Sequence, residues 1–256
     1  MGNRLEGKTA LVTGSTSNIG RAIAFEFASE GAHVVISGRD KGRGEAVVSE
    51  ITQRGGKGDL VLADLDGSVA ATSALVAEAT RVLGRVDVLV NNAGVFPGST
   101  TLATNEATFD QVYAVNVKTP YFLVAAVVPA MVERGSGVII NLGSWVARIG
   151  IPVGSLYSST KGAVEALTRA WASEFGPLGV RVNAIAPGVV RTPADDGFGD
   201  RHPGEMMMRG TPAGGSGSPS AIAHAAVYLA SDEASFVHGT VIDVDGGRVG
   251  VAVISI

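Results

Sequence analysis

The chain has no cysteine among its 256 residues, which excludes disulfide frameworks and thiolate metal sites alike. Histidine is nearly as scarce. His33, His202, His224 and His238 lie far apart, without the close spacing of metal ligands, so no metal is expected. Charged residues make up only 17%, and 20 basic against 24 acidic side chains leave a net charge of −4. Without a basic excess, nucleic acid is not an expected partner. No apolar run approaches the ~20 residues of a bilayer-spanning helix. Met1-Gly-Asn-Arg-Leu-Glu leads into a strand pattern with no basic leader and apolar core. The expectation is a soluble, cytoplasmic protein with no membrane partner.

Apolar residues are plentiful, at 46%, and the length suits one large α/β domain with a sizeable core. Short apolar runs at 9–12, 33–37, 58–63, 86–91, 138–141, 180–185 and 240–244 read as strands. Several are apolar almost throughout, as strands covered on both faces must be. Helical periodicity fills 20–30, 43–54, 68–83, 106–134, 156–175 and 220–230 between them. This alternation predicts right-handed crossovers and a doubly wound parallel sheet with helices on both faces, one domain over 1–256. The exception is 195–219, dense in glycine and proline and carrying Met206, Met207 and Met208. A loop of that length within a compact domain reads as a substrate-binding lid.

Motifs sit where strands end. Thr13-Gly-Ser-Thr-Ser-Asn-Ile-Gly20 follows the first strand and opens the first helix. Such a turn brings backbone close to a pyrophosphate at the positive end of a helix, which makes Gly14, Ser15, Thr16, Asn18, Ile19 and Gly20 candidate cofactor residues. Asn18 occupies the middle position where the fingerprint has glycine, and asparagine tolerates the positive φ required there. After the second strand, Gly38 and Arg39 stand where an acidic residue would select NAD, and an arginine there accommodates a 2′-phosphate. NADP(H) is therefore favoured, with NAD(H) possible. Asp40 is alternatively a helix cap. Asp64, followed by Leu65, ends the third strand within reach of an adenine amino group, or caps the next helix. Asn91, Asn92, Ala93 and Gly94 close the fourth strand at its ligand-binding carboxyl end. Asn116 lies in an apolar helical pattern, where an amide needs partners, as structural group or as relay. Ser144 follows the fifth strand, and Tyr157 and Lys161, four apart, share a helix face. A phenol beside an ammonium has its pKa lowered and could exchange a proton near neutral pH.

Taken in order, Thr13-Gly14 to Gly20, Asp64, Asn91 to Gly94, Asn116, Ser144, Tyr157-Ser-Ser-Thr-Lys161, Pro187-Gly188 to Thr192 and Val244-Asp-Gly-Gly247 resemble the short-chain dehydrogenase/reductase family over nearly the whole chain. The resemblance implies a Rossmann-type seven-stranded sheet and a nicotinamide cofactor. It implies that Tyr157 is the general acid/base and that Lys161 binds the nicotinamide ribose and lowers the tyrosine pKa. Ser144 would bind the substrate oxygen, and Asn116 would hold a relay water. Pro187, Gly188, Val190 and Thr192 would flank the nicotinamide. A homotetramer is implied too, and the small residues Gly162, Ala163, Ala166 and Ala170 suit close helix packing. Besides Asn18, Thr160 stands where serine is commoner, and Gly215 where an arginine is often found. The apolar tail, 248–256, is expected at a subunit interface.

The expected activity is interconversion of a secondary alcohol and a ketone, a small-molecule substrate, by hydride transfer with the cofactor. A 3-oxoacyl-carrier-protein reductase is the alternative, although an acidic carrier would want basic residues at the pocket mouth, where only Arg134 offers itself. A catalytically silent nucleotide-binding module is disfavoured by the intact Asn116, Ser144, Tyr157 and Lys161 set. A dehalogenating relative is disfavoured by Lys161.

Overall fold

The computed structural model describes residues 3–152, 154–191 and 203–253. Its strands are β1 (Thr9–Thr13), β2 (His33–Gly38), β3 (Lys57–Leu62), β4 (Val88–Asn91), β5 (Gly137–Leu142), β6 (Val180–Pro187) and β7 (Val241–Val244). They form one sheet in the order β3-β2-β1-β4-β5-β6-β7, and every pairing is parallel. The expected doubly wound α/β fold is present. The helices are α1 (Asn18–Ser29), α2 (Lys41–Gln53), α3 (Val69–Leu83), α4 (Glu106–Tyr113), α5 (Thr119–Arg134), α6 (Ser155–Phe175), α7 (Pro203–Met208) and α8 (Pro219–Ala230).

Two cores, one on each sheet face, explain why the strands read as unbroken apolar runs. Successive side chains point to opposite faces. Val138 and Ile140 of β5 therefore join Ile23 and Phe27 of α1 and Ile222 and Val227 of α8. Ile139, between them, joins Leu75 of α3, Leu123 of α5 and Trp171 of α6. Polar side chains start the helices. Asp40, Ser68 and Asn105 accept hydrogen bonds from the backbone amides of Arg43, Ala71 and Thr108 at 2.9, 3.1 and 2.8 Å, satisfying donors that a helix start leaves open. Asp40 is thus a cap, and the capping amide of Arg43 holds its carboxyl below the usual carboxylate range.

The expected single helix over 106–134 is interrupted. Residues Ala114–Lys118 form a π turn between α4 and α5, because Pro120 has no N–H to return to the Asn116 carbonyl and an α ladder cannot run through it. By length and composition alone this rod could cross a membrane, since an 18-residue window within Glu106–Arg134 reaches a mean hydropathy of 1.5. Its apolar face is instead packed on the sheet, with Leu123, Val124, Val127, Val128 and Met131 buried.

β1 lies beside β2 on one side and β4 on the other. Crossovers from the two therefore leave in opposite directions and open a crevice at the carboxyl ends. The motifs of the sequence converge there.

Candidate active site

The first wall of the crevice is the turn from β1 into α1. A Cβ at Gly20 would stand 2.4 Å from both the Asn92 Nδ2 and the Gly14 carbonyl oxygen, so only glycine lets α1 begin this close to the end of β4. Asn92 locks the approach, its Nδ2 donating to the carbonyls of Thr13 and Gly14 at 2.8 and 3.1 Å. Asn18 takes φ 49°, the left-handed conformation for which asparagine was read. Gly14, Thr16, Asn18, Ile19, Gly20, Arg39, Asp64, Leu65, Asn92, Ala93 and Gly94 all line one cleft of about 640 Å³, which runs on to Tyr157. Arg39 and Asp64 face each other across 3.8 Å, both well exposed.

Two expected cofactor residues belong to the scaffold behind that wall. The Ser15 hydroxyl donates to the Val12 carbonyl at 2.6 Å and accepts from the Ser37 amide at 2.9 Å, so it staples β1 to β2. Asn91 is buried and donates to Asn141 Oδ1 at 2.9 Å, and Asn141 donates in turn to Thr168 on α6. With both side chains spent on the scaffold, the main chain is what either residue offers a ligand.

A second cleft, of about 280 Å³, opens at the other end of the first and shares Ile19, Asn92, Gly94, Val95 and Tyr157 with it. Ser144, Tyr157, Lys161, Pro187, Gly188 and Val190 line it. Gly188 is there by necessity, since a Cβ would lie 2.6 Å from the Asp245 Cα. The Val244-Asp-Gly-Gly247 motif thereby braces the Pro187–Gly188 loop from below. Thr192 lies outside the described residues, as does residue 195–202 of the expected lid. The described remainder of that segment holds α7, with Met208 buried and Met206 and Met207 exposed.

Ser144 and Tyr157 line the same cleft, and the Ser144 hydroxyl acts on the phenol so as to lower its pKa. Lys161 donates from Nζ to the Leu142 carbonyl at 2.7 Å, and that nitrogen stands 5.5 Å from the centre of the Tyr157 ring. The expected lowering of the phenol by the lysine is not found in the protein alone. Burial pushes Tyr157 up to about 12, with the Ser144 hydroxyl opposing only in part. Burial also pushes Lys161 down to about 8. Both shifts have one cause: a dry site disfavours whichever form carries charge. At neutral pH the pair is a phenol beside an ammonium.

Asn116 sits in the π turn, fully buried. Its Oδ1 accepts from the Val95 amide at 2.8 Å, and its Nδ2 donates to the Val95 carbonyl at 3.0 Å and to Thr160 Oγ1 at 3.2 Å. Thr160 donates to the Tyr157 carbonyl at 2.7 Å. The side chain is a clamp from the loop after β4 to the second turn of α6. Serine commonly replaces Thr160 in the resemblance, and either hydroxyl makes this contact.

Sequence reasoning missed Val95, Phe96, Arg43 and Gln111 in these walls. Phe96 was findable, being two residues past the Asn91–Gly94 motif that follows β4. Arg43 was not, because α2 had to be folded to turn it toward Arg39.

Comparison with known proteins decides what the geometry suggests. Residues 14–248 match the family model described as enoyl-(acyl carrier protein) reductase. A solved short-chain dehydrogenase/reductase family protein is 45% identical, with 97% of this chain and 100% of that one covered and a TM-score of 0.87. The chain belongs to the short-chain dehydrogenase/reductase family. The 3-oxoacyl-(acyl-carrier-protein) reductase of Thermotoga maritima is 36% identical over 96% of this chain and 99% of its own. A gluconate 5-dehydrogenase from Burkholderia cenocepacia, solved with NADP and tartrate, is 30% identical, with 97% and 98% covered and a TM-score of 0.90. As a short-chain dehydrogenase/reductase, the protein is an NAD(P)-dependent oxidoreductase interconverting a secondary alcohol and a ketone.

Proposed function

We propose that the protein is an NADP(H)-preferring ketone reductase in which Tyr157 moves the proton at the substrate oxygen. The observation carrying this reading is the convergence of Ser144, Tyr157 and Lys161 on one cleft, with the Lys161 ammonium 5.5 Å from the centre of the tyrosine ring. A bound nicotinamide supplies the hydride. Gly14, Thr16, Asn18, Ile19 and Gly20 would hold the pyrophosphate, with Asp64 and Leu65 at the adenine, and Asn92, Ala93, Gly94, Pro187, Gly188 and Val190 around the nicotinamide. The glycine at 20, which admits no side chain, fits that close backbone approach.

In the reducing direction Ser144 hydrogen-bonds the ketone oxygen and Tyr157 donates its proton to the forming alkoxide. Lys161 holds the nicotinamide ribose. Its value of about 8 matches a group that passes a proton on near neutral pH. The Asn116 carbonyl, which Pro120 cannot satisfy, holds the water that links Lys161 to solvent.

Arg39 supports the NADP assignment, and Arg43 lines the same end of the cleft. Two guanidiniums suit a 2′-phosphate. Arg134, the expected docking cation for an acyl carrier, donates instead to the Ala130 and Val86 carbonyls at 2.9 and 2.8 Å, at the amino end of β4. That favours a free ketone over a carrier-bound one. The reading includes a cytoplasmic homotetramer, supported by Ala166 and Ala170 standing exposed on α6.

The test is an absorbance screen of aliphatic, aryl, sugar-derived and carrier-bound ketones with NADPH and NADH side by side. Turnover of a free ketone with NADPH at least about tenfold more efficient than with NADH is expected, since charge-assisted bonds to the phosphate differ between the two. No turnover, or a preference for NADH, overturns the proposal.

A further inference from the structure

Arg148 lies outside both clefts, yet it ties the turn bearing Ser144 to the helix bearing Tyr157 and Lys161 and to the edge strand β7. Ser144 opens a short 3₁₀ turn, Trp145–Ala147, and Arg148 closes it. Within it the Ala147 amide donates to the Ser144 carbonyl at 3.0 Å, and those of Arg148 and Ile149 to the Trp145 carbonyl at 3.2 and 3.3 Å. The turn is a rigid lever with Ser144 at one end and Arg148 at the other. The Arg148 guanidinium takes hold of Asp243 on β7 in a two-pronged ion pair, one prong being Nη1 to Oδ2 at 2.8 Å. Its Nε faces Glu165 Oε2 on α6 at 3.6 Å.

Glu165 is one helical turn beyond Lys161 on the same face. Its side chain is only 6% exposed. The remaining oxygen, Oε1, has no hydrogen-bond partner among the described residues. That oxygen faces Gly143, where a Cβ would lie 3.2 Å from it. A carboxylate buried with one oxygen unsatisfied is costly, so its place against the residue before Ser144 calls for a reason beyond packing.

We propose that Arg148, Glu165 and Asp243 form a clamp that sets the distance between the Ser144 hydroxyl and the Tyr157 phenol. The loop bearing Ser144 and the helix bearing Tyr157 and Lys161 then come together twice, once along the cleft that both line and once at Arg148–Glu165, while Asp243 anchors the lever to the sheet edge. None of the three touches substrate; all are positioning residues. The proposal rests on the reading of Ser144 and Tyr157 as the groups that bind and protonate the substrate oxygen.

The test compares wild type, Arg148→Met, Arg148→Lys and Asp243→Asn in ketone reduction, in NADPH affinity and in amide hydrogen exchange over residues 142–148. Arg148→Met should lower kcat about tenfold, since small displacements of oriented groups are costly, with the NADPH Kd and the ketone KM within about twofold of wild type. Arg148→Lys should regain part of the loss by restoring the charge to Glu165. Exchange in the Ser144 loop should quicken in Arg148→Met. Unchanged kcat, or a loss of NADPH affinity equal to the loss of kcat, overturns the clamp. If Arg148→Met does not fold, Asp243→Asn loosens the same clamp from its more exposed side, and an unchanged kcat there overturns it equally. Absent turnover in wild type refutes the catalytic reading instead, and the exchange comparison then decides: equal exchange in wild type and variant ends the proposal.

Discussion

The ring of Phe96 meets the ring of Tyr157 edge-on, with centroids 4.9 Å apart and planes inclined by 61°. A side chain just past the end of β4 thus touches the proposed acid directly, although nothing in the glycine-rich or tyrosine–lysine motifs points to it. It also packs against Gly154, where a Cβ would come within 2.9 Å of its ring. Phe96 is 56% exposed in the protein alone, so one side of the ring remains available to a substrate.

Phe96→Ala should therefore discriminate among ketones. Aromatic edge contacts contribute about 1 kcal/mol beyond area burial, which corresponds to roughly a fivefold fall in kcat/KM for aryl ketones. Short aliphatic ketones, which do not reach the ring, should change by less than about twofold on the same scale. Steady-state kinetics on a matched aryl and alkyl series checks this, and a uniform loss across the series would count against a specificity role.

Arg39→Ala and Arg43→Ala should each lower kcat/KM with NADPH by roughly 10- to 100-fold, the cost of one charge-assisted bond, and leave NADH values nearly unchanged. Arg39 loses little by turning to a phosphate, because its contact with Asp64 spans 3.8 Å between exposed groups, and such pairs contribute little. Equal effects on both cofactors would mean that the arginines merely shape α2.

The dry Tyr157–Lys161 pair makes stability depend on pH in two opposed windows. Lys161 falls from 10.5 unfolded to about 8 folded. Between those values the unfolded chain binds the extra proton, so stability rises with pH, by about 3 kcal/mol at most. Tyr157 rises from 10.0 to about 12. Above its ordinary value the unfolded chain loses its proton first, so stability falls from about pH 10 upward. Urea unfolding across this range should show a maximum near about pH 10. In Lys161→Met the rise between pH 8 and 10.5 should vanish while the fall remains.

Tyr157→Phe should abolish ketone reduction, with NADPH affinity within about threefold of wild type, because the hydroxyl acts in the transition state and not in cofactor binding. Fluorescence titration with NADPH, alongside a turnover assay, checks both halves. Near-normal turnover would sink the mechanism.

Most of this architecture was legible in the sequence, for reasons the residues make plain. Val138, Ile139 and Ile140 are apolar in succession because two cores bury them, and that pattern announces a parallel sheet. Ser144, Tyr157 and Lys161 were readable because helical spacing and strand ends place them without further information. The failures are those of tertiary context. Ser15 and Asn91 lie within the right motifs, but their side chains face neighbouring strands, which no motif records. The phenol pKa was misjudged because charge proximity can be read from spacing whereas desolvation depends on everything packed around the ring. The π turn had its signal in Pro120. That signal became interpretable once Asn116 was seen to clamp Val95.

The contact between Gly188 and Asp245 has a consequence for how the protein is made. Strands β1 and β4 at the centre of the sheet leave the ribosome early and can pair at once. The Pro187–Gly188 loop acquires its support only when residue 245 emerges, and so the crevice between β1 and β4 can form in the nascent chain before the cleft beside it is complete.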